Sequence, residues 1–300
     1  MKADKSEHNK NKFSLLTSNQ VSFWQNDNPY ILKGHRQQRE DLFFIFSSCL
    51  TMHTETLNIW THLVGSMILI YSWWNFKATH DFTNDAFSSM FINLYFFAGI
   101  ACLLISTSFH TLLCYSENIK ILFNKLDYAG ILVSLLSAAF ALQHHLFYCQ
   151  SSIRFAYMCL FTLFSLFFLY KFLSKSFQTE LNNCQRISYF ILLFLVVTLP
   201  TVHFLIVHNQ KLQLIDKVDI IQIAAVMGFG ALSYGLFFPE RICPGSLDFI
   251  GNSHQLMHVS VVIGHLLFIE AMSKIVKKVQ SLEAVCQIYT ENNPYAIIFS

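Results

Sequence analysis

The sequence predicts an all-α protein, a bundle of seven transmembrane helices, on three observations. Hydrophobic residues make up 54% of the 300 and charged residues only 13%, against about 25% charged in an ordinary soluble domain. Phe alone contributes 31 residues, so any soluble fold would show a heavily apolar surface. Seven apolar runs, each near the ~20 residues a helix needs to cross a bilayer, contain no Asp, Glu, Lys or Arg. These facts exclude a soluble globule. The balance of 20 Lys+Arg against 18 Asp+Glu leaves no basic footprint for nucleic acid.

The first 40 residues are polar and hold no apolar core of signal-peptide type. Residues 40–52 (EDLFFIFSSCLTM) are too short to cross, and read as a short interfacial or core-packed helix before the first span. The seven spans are expected near Leu57–Phe76, Ser88–Leu113, Tyr128–Tyr148, Phe155–Tyr170, Ile187–Val207, Ile220–Phe238 and His254–Ile269. The fourth is shortest, but Arg154 and Lys171 flank it and extend its reach by snorkelling. Pro200 removes one backbone donor from the fifth and predicts a kink there. The eight cysteines never form C-x-x-C. They read as reduced packing residues rather than a disulfide framework or a thiolate zinc site.

Lys and Arg in the segments between spans set the orientation, because positive residues stay on the cytoplasmic side. Thirteen lie on the amino-terminal side and seven on the other, counting Lys77, Arg154, Lys211, Lys217, Lys274, Lys277 and Lys278 among the seven. The expectation is a cytoplasmic amino terminus and an exoplasmic carboxyl terminus. The chain then divides into a cytoplasmic region (1–52), a seven-transmembrane domain (53–275) and an exoplasmic tail (276–300).

Ionisable groups inside spans are costly and mark a site or a paired contact. His110 stands near the end of the second span, Asp127 at the start of the third, and His254 and His258 at the start of the seventh. Those three span ends share the cytoplasmic face. His254 and His258 are four residues apart, so both imidazoles leave one side of a helix about 6 Å apart along its axis. With His110 they make the three-histidine set that catalytic zinc sites favour. Ser106, one turn before His110, can address the same centre, and Asp127 is the candidate proton acceptor. Taken singly, each has an ordinary structural account. Asp127 could cap its helix, Ser106 could allow close packing, and His62, His144, His145, His203 and His265 read as histidines hydrogen-bonded to neighbouring helices.

The strings HTETLNIWTHLVG (53–65), STSFH (106–110), LDYAGI (126–131) and PERICPGSLDFIGNSHQLMH (239–258), preceded by NPYILKGHR (28–36), closely resemble the progestin and adipoQ receptor family. That family includes the adiponectin receptors and is related to bacterial haemolysin III-like proteins. The resemblance covers roughly residues 28–275 and implies seven helices, a cytoplasmic amino terminus and a zinc ion near the cytoplasmic side. It maps the family's Ser-x-x-x-His onto Ser106 and His110, its Asp onto Asp127 and its paired zinc histidines onto His254 and His258. HTETLNIWTHLVG looks like the adiponectin-receptor branch, whereas DNPYILKGHR and LDFIGNSHQLMH also resemble the Golgi branch that tethers a kinase.

Three functions follow from these readings. The first is a signalling receptor that contacts membrane lipids, responds to an exoplasmic hormone or lipid ligand and meets a cytoplasmic signalling protein through its N-terminal region. The second is a zinc-dependent hydrolase of lipid amides such as ceramide, in which Asp127 acts as general base and Ser106 helps bind the oxyanion. The third is a Golgi-membrane scaffold that holds a signalling kinase. Plasma membrane and Golgi membrane both fit the sequence.

Overall fold

The computed structural model describes residues 14–83, 85–174, 177, 183–207 and 214–292. The chain opens with β1 (Leu15–Thr17) and β2 (Lys33–Arg36), which pair antiparallel with Leu15 opposite Arg36 and Leu16 opposite His35. This two-stranded clip is an addition to the all-α architecture expected from sequence. A short helix α1 (Leu42–Ser48) follows, capped by the Asp41 carboxylate on the Phe44 N–H. Ile45 and Ser48 are buried on one side of it while Phe43 and Phe46 project outward, the arrangement of a helix lying at a membrane interface.

Among the described residues, seven long helices build the bundle. They are α2 (Thr56–Thr79), α3 (Ala86–Leu112), α4 (Glu117–Leu146), α5 (Ser151–Leu173), α6 (Asn183–Val207), α7 (Lys217–Leu236) and α8 (Ser253–Asn292). Six of them, α3 to α8, are long and apolar enough to cross a bilayer. Helix α2, 24 residues long, is less apolar because Asn58, Thr61, His62 and Asn75 interrupt it. Even so, its outward face carries Trp60, Val64, Met67, Tyr71 and Trp74, all exposed. That spacing of three and four is a continuous apolar stripe, as a lipid-facing helix requires.

Consecutive helices pack against each other, and α8 closes the bundle by packing on both α7 and α2. One apolar cluster gathers Phe76, Phe96, Phe147, Phe204 and Met272 at the end of the bundle distant from the β-clip. A second joins Tyr128, Phe168, Phe172 and Leu193 across α4, α5 and α6. Helices α3 and α4 approach closely because position 130 is glycine: a Cβ there would stand 3.3 Å from the Cys102 backbone.

Three expectations change. The third span is longer than its apolar core, since α4 begins at Glu117, capped by Ser116, so Asp127 lies well inside a helix and does not cap one. Helix α8 continues through Asn292, far past the expected end of the seventh span near Ile269. Of the cysteines, Cys49, Cys102, Cys114, Cys159 and Cys243 are free, but Cys149 is disulfide-bonded. Reading every cysteine as reduced missed it because apolar surroundings say nothing about which thiols meet in space.

Candidate metal centre

The site forms where α3 ends and α8 begins. The segment between α7 and α8 is held down first. The Glu240 carboxylate accepts from the Ser253 N–H at 2.7 Å and from the Asn28 amide at 2.8 Å. Asp248 accepts from the N–H groups of Leu32 and Lys33 at 2.9 and 3.2 Å. Gly34, at φ +92°, lets β2 pass beneath the Phe249 ring, whose nearest carbon would stand 2.7 Å from an added Cβ. These contacts fix the first turn of α8, and with it His254 and His258.

At the end of α3 the carbonyls of His110 and Thr111 have no partner within their own helix. The buried Arg36 guanidinium donates to both, at 2.9 Å for Thr111, and to Ser48 Oγ at 3.1 Å. The N-terminal strand thus clamps the helix end that carries His110. Beside it, burial foremost and then the Arg36 charge pull the His53 imidazole down to about 3, so it stays neutral.

The three imidazoles meet here. One ring nitrogen from each of His110, His254 and His258 lies within 4.8 Å of the other two. Their ring centroids are 4.8–4.9 Å apart, and His62 stacks on His258 at 3.6 Å and 11°. His110 Nε2 is buried and has no hydrogen-bond partner among the described residues. Three imidazoles, one with a bare buried nitrogen, fit a zinc ion in donor type and number.

Ser106 and Asp127 form a separate pair next to this cluster. Ser106 and His110 both lie close enough to the Asp127 carboxylate to act on it electrostatically. Asp127 is not one of the clustered groups. Four of the other span histidines have local partners: His265 Nδ1 with Tyr95 Oη at 2.9 Å, His203 Nδ1 with Tyr157 Oη at 2.8 Å, His144 Nε2 with Ser88 Oγ at 3.0 Å and His145 Nδ1 with the Ala141 carbonyl of its own helix at 2.7 Å. His62 departs from the expectation of a hydrogen-bonded histidine: both of its ring nitrogens are buried without a hydrogen-bond partner among the described residues, and its contact is the stacked His258 ring.

Two contributors escaped sequence reasoning. Glu55 accepts from His110 Nδ1 at 2.7 Å, and the Asn58 carbonyl accepts from His258 Nδ1 at 3.1 Å. Burial opposes a charge on Glu55. Hydrogen bonds from His110 and Asn58, together with the proximity of His254, nevertheless hold its carboxyl well below the usual carboxylate range. A search for apolar runs free of carboxylates stops just after Glu55, and no spacing rule links residue 55 to residue 110.

Known proteins resemble this chain in sequence. Residues 50–269 match the Haemolysin-III related family. The chain is 29% identical to a progestin and adipoQ receptor-like protein 1 of Caenorhabditis elegans over 84% of its length and 58% of the worm protein. It is 28% identical to the adiponectin receptor protein of Drosophila melanogaster over 84% of its length and 57% of the fly protein. The yeast ADIPOR-like receptor IZH2 of Saccharomyces cerevisiae is 28% identical, across 86% of this chain and 83% of the yeast protein. The chain therefore spans somewhat over half of the worm and fly proteins and most of the yeast one. With six apolar crossing helices in the described residues and a family match over 220 of its residues, this multi-pass integral membrane protein belongs to the Haemolysin-III related family.

Proposed function

We propose that the chain is a membrane receptor of the progestin and adipoQ type, with a zinc ion at the end of the bundle nearest the β-clip tying α3 to α8. The observation that carries this reading is the three-histidine cluster, in which His110 on α3 meets two α8 histidines 144 and 148 positions further along the sequence. When bound, zinc would supply a Lewis acid and a cross-link between the two helices. Receptor-type names among the relatives similar in sequence support the signalling role. The ligand would be an exoplasmic hormone or a membrane lipid, and the N-terminal region the contact for a cytoplasmic signalling protein. Residence in plasma membrane or Golgi fits equally.

The orientation is part of the proposal. If the chain crosses seven times with the Lys/Arg majority inside, the metal centre would lie on the cytoplasmic side. Cys149, just past the end of α4, then faces the oxidising compartment, where a disulfide persists. An epitope placed before Lys12 should become accessible to protease only once the plasma membrane is selectively permeabilised, and one after Ser300 should be cleaved without permeabilisation at the plasma membrane or stay protected within intact Golgi membranes. The opposite pattern overturns the orientation.

A second reading is a ceramidase-like lipid-amide hydrolase, favoured by the Ser106–Asp127 pair beside His110. Asp127 would accept a proton and Ser106 would help bind the oxyanion. Asp127→Asn separates the readings by keeping size while removing the acceptor. A structural centre predicts unchanged zinc content and unchanged signalling. Ceramide hydrolysis that falls by roughly 10²–10⁴-fold in Asp127→Asn at constant zinc would establish the hydrolase instead.

A further inference from the structure

Helix α2 supplies none of the three clustered histidines, yet its first turn touches two of them. We infer that Glu55 is a positioning residue of the metal centre, fixing the tautomer and orientation of His110; the inference rests on the zinc reading above.

The geometry runs in one direction. Glu55 Oε2 lies 2.7 Å from His110 Nδ1. A carboxylate oxygen at that distance accepts, so the Nδ1 atom carries the proton and the lone pair is on Nε2. Nε2 is the buried nitrogen without a partner, and it lies on the edge of the ring opposite the carboxylate. Glu55 is therefore outside the metal-facing edge, and it is absent from the set of clustered ligand atoms. An outer carboxylate that grips a histidine ligand from behind raises its basicity and stops the ring from turning.

Glu55 is itself held. The Asn58 amide donates to the same Oε2 at 2.8 Å, and the Glu55 N–H donates to His53 Nδ1 at 3.0 Å. The same turn repeats the device for the other helix, since His258 Nδ1 donates to the Asn58 carbonyl at 3.1 Å. One helix turn thus presets a nitrogen on α3 and a nitrogen on α8. This explains why the carboxylate sits at the mouth of α2 rather than beside the ligand cluster, where it would compete for the metal.

The test uses full-length protein in nanodiscs, with zinc affinity read by competition against a chromophoric chelator and the thermal midpoint read with and without zinc. Glu55→Ala should weaken zinc binding by roughly 10–100-fold. Glu55→Gln, whose amide carbonyl still accepts from Nδ1 without the charge, should lose less, and Asn58→Ser should fall between Glu55→Gln and wild type. The zinc-free midpoint should barely differ between Glu55→Gln and wild type, which a purely structural role would not give. Wild-type zinc affinity in both Glu55→Ala and Glu55→Gln overturns the inference while leaving the metal centre standing. If Glu55→Ala does not fold, unaltered affinity in Glu55→Gln and Asn58→Ser is sufficient to overturn it. A wild-type protein that binds no zinc in the same titration overturns both readings together.

Discussion

Purified protein should carry close to one zinc per chain, and the triple variant His110→Ala, His254→Ala, His258→Ala should carry essentially none. The expectation follows from three donor nitrogens within 4.8 Å of one another, supplied by two helices that meet at one depth. Metal bound only by the folded state adds stability by mass action, about 4 kcal/mol when free zinc is a thousandfold above its dissociation constant. The triple variant should therefore unfold at a markedly lower temperature than the zinc-loaded wild type. Its midpoint should match that of wild type stripped by a chelator, because removing the ion and removing its donors delete the same linkage. A full complement of zinc in the triple variant would place the metal elsewhere. Equal midpoints for loaded and stripped wild type would show that the ion contributes nothing to holding α3 against α8.

How far this could be read in the sequence depended on which interactions are periodic. Apolar runs and the i,i+4 spacing of His254 and His258 are local, and alternation of span ends brought His110 to the same face, so the cluster was legible before any coordinates. Asp127 was legible as a polar residue but not in its setting: the apolar core of its span begins near Tyr128, whereas the helix starts at Glu117 on polar residues capped by Ser116. Glu55 and Arg36 were not legible as parts of the site. Both lie outside the spans, in polar stretches where a charge is unremarkable, and their partners are 55 and 74 residues away. The β-clip was hidden for a similar reason, because strands of three and four residues carry too little alternation to stand out.

Arg36 yields the second large effect. Its side chain is 3% exposed and donates to Ser48 Oγ and to the terminal carbonyls of α3 at His110 and Thr111. Those carbonyls carry the negative end of the helix dipole and lack helical donors, so a buried cation there answers both needs at once. Hydrogen bonds to a charged group contribute about 1.5–3 kcal/mol each, and stranding several buried acceptors costs more than the bonds alone. Arg36→Ala should thus cost roughly 3–5 kcal/mol in stability. Arg36→Lys should recover only part, since a single ammonium cannot span acceptors on α1 and on two successive residues of α3. Zinc affinity should fall in parallel, because the backbone of a ligand residue, His110, loses its anchor. Lys33→Ala, an exposed neighbour on the same strand, should stay within about 0.5 kcal/mol of wild type. Thermal unfolding of the three variants in nanodiscs, paired with chelator competition, checks the set. Wild-type stability in Arg36→Ala would mean that the N-terminal segment merely rests on the bundle. A loss confined to stability, with zinc affinity intact, would mean that it clamps α3 without setting the position of His110.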